Sequence, residues 1–129
     1  MIVVDCSAVV DALTAVDGSD DLRELLSREL MCAPSLLDYE VIAALRGLTR
    51  GGHLNVARAN DVMSDFDDLA ITRWESADAL RRRLFEFRDN LSAYGASYVV
   101  LAEALECPLV TRDRRLQRAA GGVVRIVVL

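Results

Sequence analysis

Apolar residues along the chain follow two rhythms, continuous β-branched runs and stripes at helical spacing. "MIVVD" opens with such a run and ends on Asp5, the pattern of a short strand buried on both faces. Ser7 is then placed to cap a helix over "AVVDALTAV", where Val9, Val10 and Leu13 form an apolar stripe. "GSDDLRELLSREL" carries a second helix, capped by Ser19 or Asp20, with leucines at 22, 25, 26 and 30. "MCAP" reads as a strand ending at Pro34. After it Ser35 caps "LLDYEVIAALRGLTRGG", a helix halted by its two glycines. "NVARANDVMSDFDDL" is a further amphipathic helix and "AITRW" a strand. "SADALRRRLFEFRDN" and "SAYGASYVVLAEALE" are two more helices. "CPLVTRD" is a buried strand ending in a turn, "RRLQRAA" a short helix, and "VVRIVVL" a closing strand. Strands alternating with helices predict an α/β fold with a central parallel sheet. No repeat or linker divides the chain, so residues 1–129 form a single domain.

Composition narrows the function classes. At 53% hydrophobic and 27% charged, the chain buries a core instead of remaining disordered. No apolar run reaches the ~18 residues of a membrane span. Asp5 and Asp11 interrupt the apolar N-terminus and no basic stretch precedes it, against a signal peptide. A cytoplasmic protein with no membrane partner is expected. Cys6, Cys32 and Cys107 form no C-x-x-C pair and each adjoins an apolar run, as buried reduced thiols do. The only histidine, His53, follows "RGG" in a turn-like segment, which leaves no basis for a zinc site. A net charge of −5 does not suit a protein that coats nucleic acid, but it leaves room for one that cuts it locally. All fifteen basic residues are arginines, the better residue for bidentate contacts to phosphate.

In a parallel sheet, ligands gather beyond the carboxyl ends of the strands. Asp5 ends the first strand, and Asp113 stands just past "PLVT", so two strands deliver two carboxylates to one edge. An acid ending so apolar a strand needs a partner to offset burial. Ser7 supplies a hydroxyl beside it. Glu40 lies among Tyr39, Ile42, Ala43 and Leu45, although a glutamate in mid-helix is commonly just a solvated surface residue. Clustered carboxylates suit a hard divalent cation, magnesium or manganese. Such a cation lowers the pKa of a bound water and stabilises charge on a phosphodiester.

Together "MIVVDCSAVVDAL", "DYEVIAALRGL" and "YGASYVVLAEALECPLVTRD" resemble the PIN-domain ribonucleases, and more closely the VapC toxins of bacterial toxin–antitoxin pairs. The resemblance runs in order over essentially the whole chain. It implies a PIN-like three-layer α/β/α fold and an endoribonuclease that uses Mg2+ or Mn2+. It also implies catalytic and metal-binding acids at Asp5, Glu40 and Asp113, with Ser7 and Thr111 as supporting hydroxyls. The family's remaining acid stands in a Y-D-A triplet, and here that triplet is "YGA", with Gly95 at the acid's position. No substitute is obvious. Glu103 lies about 12 Å further along the same helix, and Asp89 precedes it. Three readings of Gly95 stay open: an inactivating change, a naturally degenerate toxin, or a site that works with three acids and an extra water. The expected consequence is reduced or lost activity. The resemblance further implies an RNA substrate (tRNA or rRNA), a homodimer and a VapB-type antitoxin, with operator DNA reached only through the antitoxin.

Arg112, Arg114 and Arg115, with Arg118, surround Asp113 and are the candidates for steering RNA phosphates. Arg81, Arg82 and Arg83 cannot share one helix face. They are either a solvated surface or, two at a time with Arg88, a backbone contact. The alternative function is a catalytically dead module that binds its antitoxin and acts in autoregulation. A phosphotransfer or phosphatase domain also ends its first strand in aspartate. "DCSAV" lacks the second aspartate two residues on, and the chain has no lysine to hold a phosphate.

Overall fold

The β-branched runs pair as five parallel strands: β1 (Ile2–Val4), β2 (Met31–Pro34), β3 (Ile71–Trp74), β4 (Leu109–Thr111) and β5 (Ile126–Val128). Their order is β3-β2-β1-β4-β5. This is a computed structural model that describes residues 1–129. The order puts β1 at the centre, with Val3 opposite Cys32 on one side and Leu109 on the other. Strands buried on both faces must be apolar at every position, hence the unbroken runs. Successive side chains alternate between two cores. Ile2 and Val4 join one, and Val3 the other.

The first core is closed by α1 (Cys6–Leu13), α2 (Asp20–Arg28), α3 (Leu36–Arg50) and α4 (Val56–Asp68). The second is closed by α5 (Asp78–Glu86), α6 (Ala93–Ala104) and α7 (Arg114–Ala120). The result is the three-layer α/β/α arrangement expected. α6 is the most deeply set helix, with Tyr98 to Ala102 buried without a break. A helix apolar all round belongs inside, which explains why "YVVLA" carries no helical stripe. Each fully buried valine or leucine contributes roughly 1.5–3 kcal/mol through removal from water.

Three caps differ from expectation, beginning with Ser19, which stands at the head of α2 but makes no side-chain cap bond. Asp5, not Ser7, caps α1, because its carboxylate accepts from the Ala8 N–H at 2.9 Å. The helix therefore starts at Cys6, and Ser7 lies in its first turn, facing Asp5. Ser35 is helical and makes no cap bond; its hydroxyl donates instead to Glu75 at 2.7 Å. The first helix also stops at Leu13, short of Val16, and Ala15 turns back at φ 51°. The glycine stop holds: α3 ends at Arg50, and Gly52 adopts φ 76°, a region open to glycine.

Candidate active site

β1 and β4 are neighbours, so the residues just past their ends meet. Asp5 is only 7% exposed, and three donors fix it. Ser7 Oγ (2.7 Å) and the Ala8 N–H (2.9 Å) bind Oδ1, and Thr111 Oγ1 binds Oδ2. The same two hydroxyls reach across the strand ends. Ser7 Oγ accepts from the Arg112 N–H at 2.9 Å, and Thr111 Oγ1 accepts from the Asp113 N–H at 3.0 Å. The "TRD" turn is thereby locked to the end of β1. Burial holds the Asp5 carboxyl above the usual range despite those three bonds, and the nearby Asp113 charge adds to the rise.

Asp113 caps α7, accepting from the Arg115 N–H at 2.9 Å and from its guanidinium at 3.2 and 3.3 Å. That arginine holds the Asp113 carboxyl below its ordinary value, outweighing partial burial. Glu40 comes from the opposite side, on the second turn of α3, and accepts the Tyr98 hydroxyl at 2.5 Å. Burial, followed by the Glu40 contact, pushes the phenol far up, so Tyr98 stays a donor. Cys6 lines the same cleft; burial and then the charges of Glu40, Asp5 and Asp11 push its thiol up to about 12. A thiol so firmly protonated is no nucleophile.

These groups line one cleft of about 610 Å³, with Asp5, Cys6, Ser7, Glu40 and Asp113 on its floor. Gly95, Tyr94 and Tyr98 from α6 form one wall with the preceding residues 90–92. Arg115, Leu116 and Ala119 of α7 form the other. Gly95 is the third residue of α6, its N–H donating to Ser92 Oγ at 3.1 Å. A Cβ there would meet Ser92 Oγ at 3.6 Å and Leu116 Cδ1 at 3.9 Å, ordinary contacts. Nothing in the packing or the backbone demands glycine, and a side chain at 95 would enter the cleft.

The donor set is all oxygen, which suits magnesium or manganese. A carboxylate offers about four acceptor sites. Three are filled on Asp5, three on Asp113 and one on Glu40. Each acid therefore keeps at least one site for a ligand. No three His, Cys, Asp or Glu side chains close on one point tightly enough to cage an ion unaided. The fit is to a cation held through one or two carboxylates with water completing its shell, as magnesium prefers.

The arginines divide. Arg115 lines the cleft, whereas Arg112 turns away to Asp11 at 3.1 Å and to the Gly18 and Leu129 carbonyls. Arg114 and Arg118 are not on the lining. In the arginine triplet, Arg83 clamps α5 to α6 through two 2.9 Å bonds to Glu103. It also stacks on Phe87 at 4.6 Å, while Arg81 pairs with Asp78. Arg81 and Arg83 are thus engaged within the chain, a use that neither expectation for the triplet named. Glu103 is engaged there, so it does not replace an acid at 95. Sequence reasoning missed Tyr98, Tyr94 and the residues 90–92. The signal for Tyr98 was its spacing, three residues beyond Gly95 on the same helix face.

A family model described as the PIN domain matches residues 2–122. Ribonuclease VapC9 of Mycobacterium tuberculosis is 44% identical over 116 residues, covering 90% of this chain and 88% of that protein. The crystal structure of PAE2754 from Pyrobaculum aerophilum superposes with a TM-score of 0.65 at 26% identity, covering 95% of this chain and 88% of that one. VapBC2 from Rickettsia felis, solved bound to a DNA fragment from its promoter, gives a TM-score of 0.66 at 14% identity, covering 98% of each chain. No helix here is long and apolar enough to cross a membrane.

Proposed function

The chain belongs to the PIN-domain family, among the VapC ribonuclease toxins of toxin–antitoxin pairs, and from that membership we propose a cation-dependent endoribonuclease whose activity Gly95 attenuates. The observation that carries the proposal is that Asp5, Glu40 and Asp113 line one cleft together with Gly95, where an added Cβ would meet only ordinary contacts. Asp5, Glu40 and Asp113 are the acids from which one or two carboxylates would hold Mg2+ or Mn2+ directly, with water completing the shell. In such a site the cation supplies an activated water and offsets charge on the phosphodiester.

The chain's own residues do the remaining work. Ser7 and Thr111 fix the Asp5 carboxylate at the strand ends, so it is preorganised and need not be recruited on binding. Arg115, already on the cleft wall, is the group to meet a phosphate oxygen. Arg112 and Arg114 lie off the lining, which makes them outer contacts to a longer RNA at most. The substrate is a single-stranded region of tRNA or rRNA, and the assembly is a homodimer with a VapB-type antitoxin. An acidic cleft that attracts a cation attracts an antitoxin arginine for the same reason.

Gly95 also favours a second reading, a silent module that binds its antitoxin and acts in autoregulation. Cleavage of pooled tRNA and rRNA in Mg2+ or Mn2+, comparing the chain with Gly95→Asp, separates the two. Strong cleavage only by the variant is the expected result. Silence from both leaves the binding module. Equal cleavage makes the fourth acid dispensable.

A further inference from the structure

Glu40 differs from the other two acids in how it is held. Asp5 is fixed by three donors, and Asp113 by Arg115 and the first turn of α7. Glu40 sits in mid-helix on a partly exposed face, where a glutamate ordinarily samples several rotamers. Its one side-chain partner is Tyr98, 58 residues away in sequence. Tyr98 is 3% exposed, and its ring is fixed in the core between α6 and the sheet. The hydroxyl therefore has a set position, and Glu40 Oε1 must come to it. Oε2 takes no hydrogen bond within the chain, and Glu40 lines the cleft.

We infer that Tyr98 is a positioning residue: its hydroxyl selects the Glu40 rotamer that turns the carboxylate into the cleft as a cation ligand. The inference rests on the cation-dependent reading above. The arrangement is that of a ligand oriented by an outer hydrogen-bond partner, whose loss typically weakens metal affinity 10–100-fold. It also explains how a helix position with no special backbone feature yields a defined ligand. With no carboxylate at 95 in the same cleft, Glu40 carries more of the binding and depends more on being held.

The test is Mn2+ affinity by isothermal titration calorimetry in four proteins: the chain, Tyr98→Phe, Glu40→Gln and the double variant. Thermal melts confirm that each folds. If Mn2+ binding to the chain is too weak to measure, the series is repeated with Gly95→Asp in all four. Tyr98→Phe should raise the Kd for Mn2+ by roughly 10–100-fold, and should change it less than about twofold once Glu40 is Gln. A Kd unchanged in folded Tyr98→Phe overturns the inference and leaves the nuclease reading intact. An equal loss with and without Glu40 overturns it too, because the hydroxyl then does not act through that carboxylate. No Mn2+ binding by the chain or by Gly95→Asp overturns the cation reading itself. A purely structural role for Tyr98 would lower Tm and leave the Kd unmoved.

Discussion

Replacing Gly95 by alanine and by aspartate separates the helix from the chemistry. Position 95 is in the first turn of α6, three residues after the cap Ser92. Glycine in a helix costs about 0.5–1 kcal/mol against alanine, and the added Cβ meets only ordinary contacts at 3.6 and 3.9 Å. Gly95→Ala should therefore stabilise by that amount, about 2–5 °C in Tm for a domain of this size, with or without cation. Aspartate has a lower helix propensity than alanine, but at the third helical position it gains roughly 0.3–1 kcal/mol from the helix dipole. Set against that gain is repulsion from Asp5, Glu40 and Asp113, which share the cleft. Without cation, Gly95→Asp should sit close to the parent chain. With Mn2+ at about a hundred times its Kd it should gain roughly 2.7 kcal/mol, on the order of 10 °C by the same scaling. Differential scanning fluorimetry with and without Mn2+ reads all three proteins. If Gly95→Ala melts below the parent, the glycine has a packing role and the reasoning fails. The same holds if Mn2+ raises Gly95→Asp no more than Gly95→Ala.

Three further outcomes are expected. Asp5 has a raised pKa, so its contribution to folding is full below its unfolded value of 3.8 and is lost as pH rises through its folded value. Asp5→Asn should then hold or raise Tm at pH 7, flatten the fall above pH 4 and abolish any Mn2+ increment; a lower Tm at pH 7 would contradict the burial argument. Arg115→Ala should weaken RNA binding and lower the salt dependence by about 0.7 in slope, the value for one phosphate contact on a single strand. It should tighten Mn2+ binding slightly by freeing Asp113, and a filter-binding salt series together with calorimetry checks both signs. Arg83→Ala should lower Tm by releasing α5 from α6, without altering that salt slope. Glu103 is held low by Arg83, so the stability it adds is present above about 4.5 and lost as pH falls through its folded value. The gap in Tm between parent and variant should therefore close in acid.

Much of this was legible in the chain because a parallel sheet writes itself plainly. Continuous apolar runs located β1 and β4, and the rule that ligands gather past strand ends picked out Asp5 and Asp113. Glu40 was ambiguous from local pattern, because what sets it apart is a hydroxyl on α6, a contact that helix periodicity does not encode. Ser7 was read as a cap when Asp5, two residues earlier, is the better placed acceptor. Both side chains suit the role, and only the turn geometry at the end of β1 decides between them. The arginines show the same limit. Adjacent residues 112, 114 and 115 look equivalent in sequence. Yet the turn after β4 sends Arg112 to Asp11 and Arg115 to the cleft.

The two ends of α6 live in different mechanical settings. Its buried stretch from Tyr98 to Ala102 packs in the core against the sheet, where amide protons are expected to exchange only when the whole domain opens. The segment leading into it starts at Phe87, itself a core residue, but residues 88–92 are exposed or half-buried and follow α5, a helix with no fully buried residue. Segments as lightly packed as residues 88–92 are expected to open more cheaply than the whole domain unfolds. The cleft therefore joins a firmly packed part, where Asp5 and Asp113 follow strand ends and Glu40 accepts from buried Tyr98, to a more lightly packed edge at residues 88–92. A strand entering over that edge would displace residues 88–92 at less cost than the helices and strand ends that carry the acids.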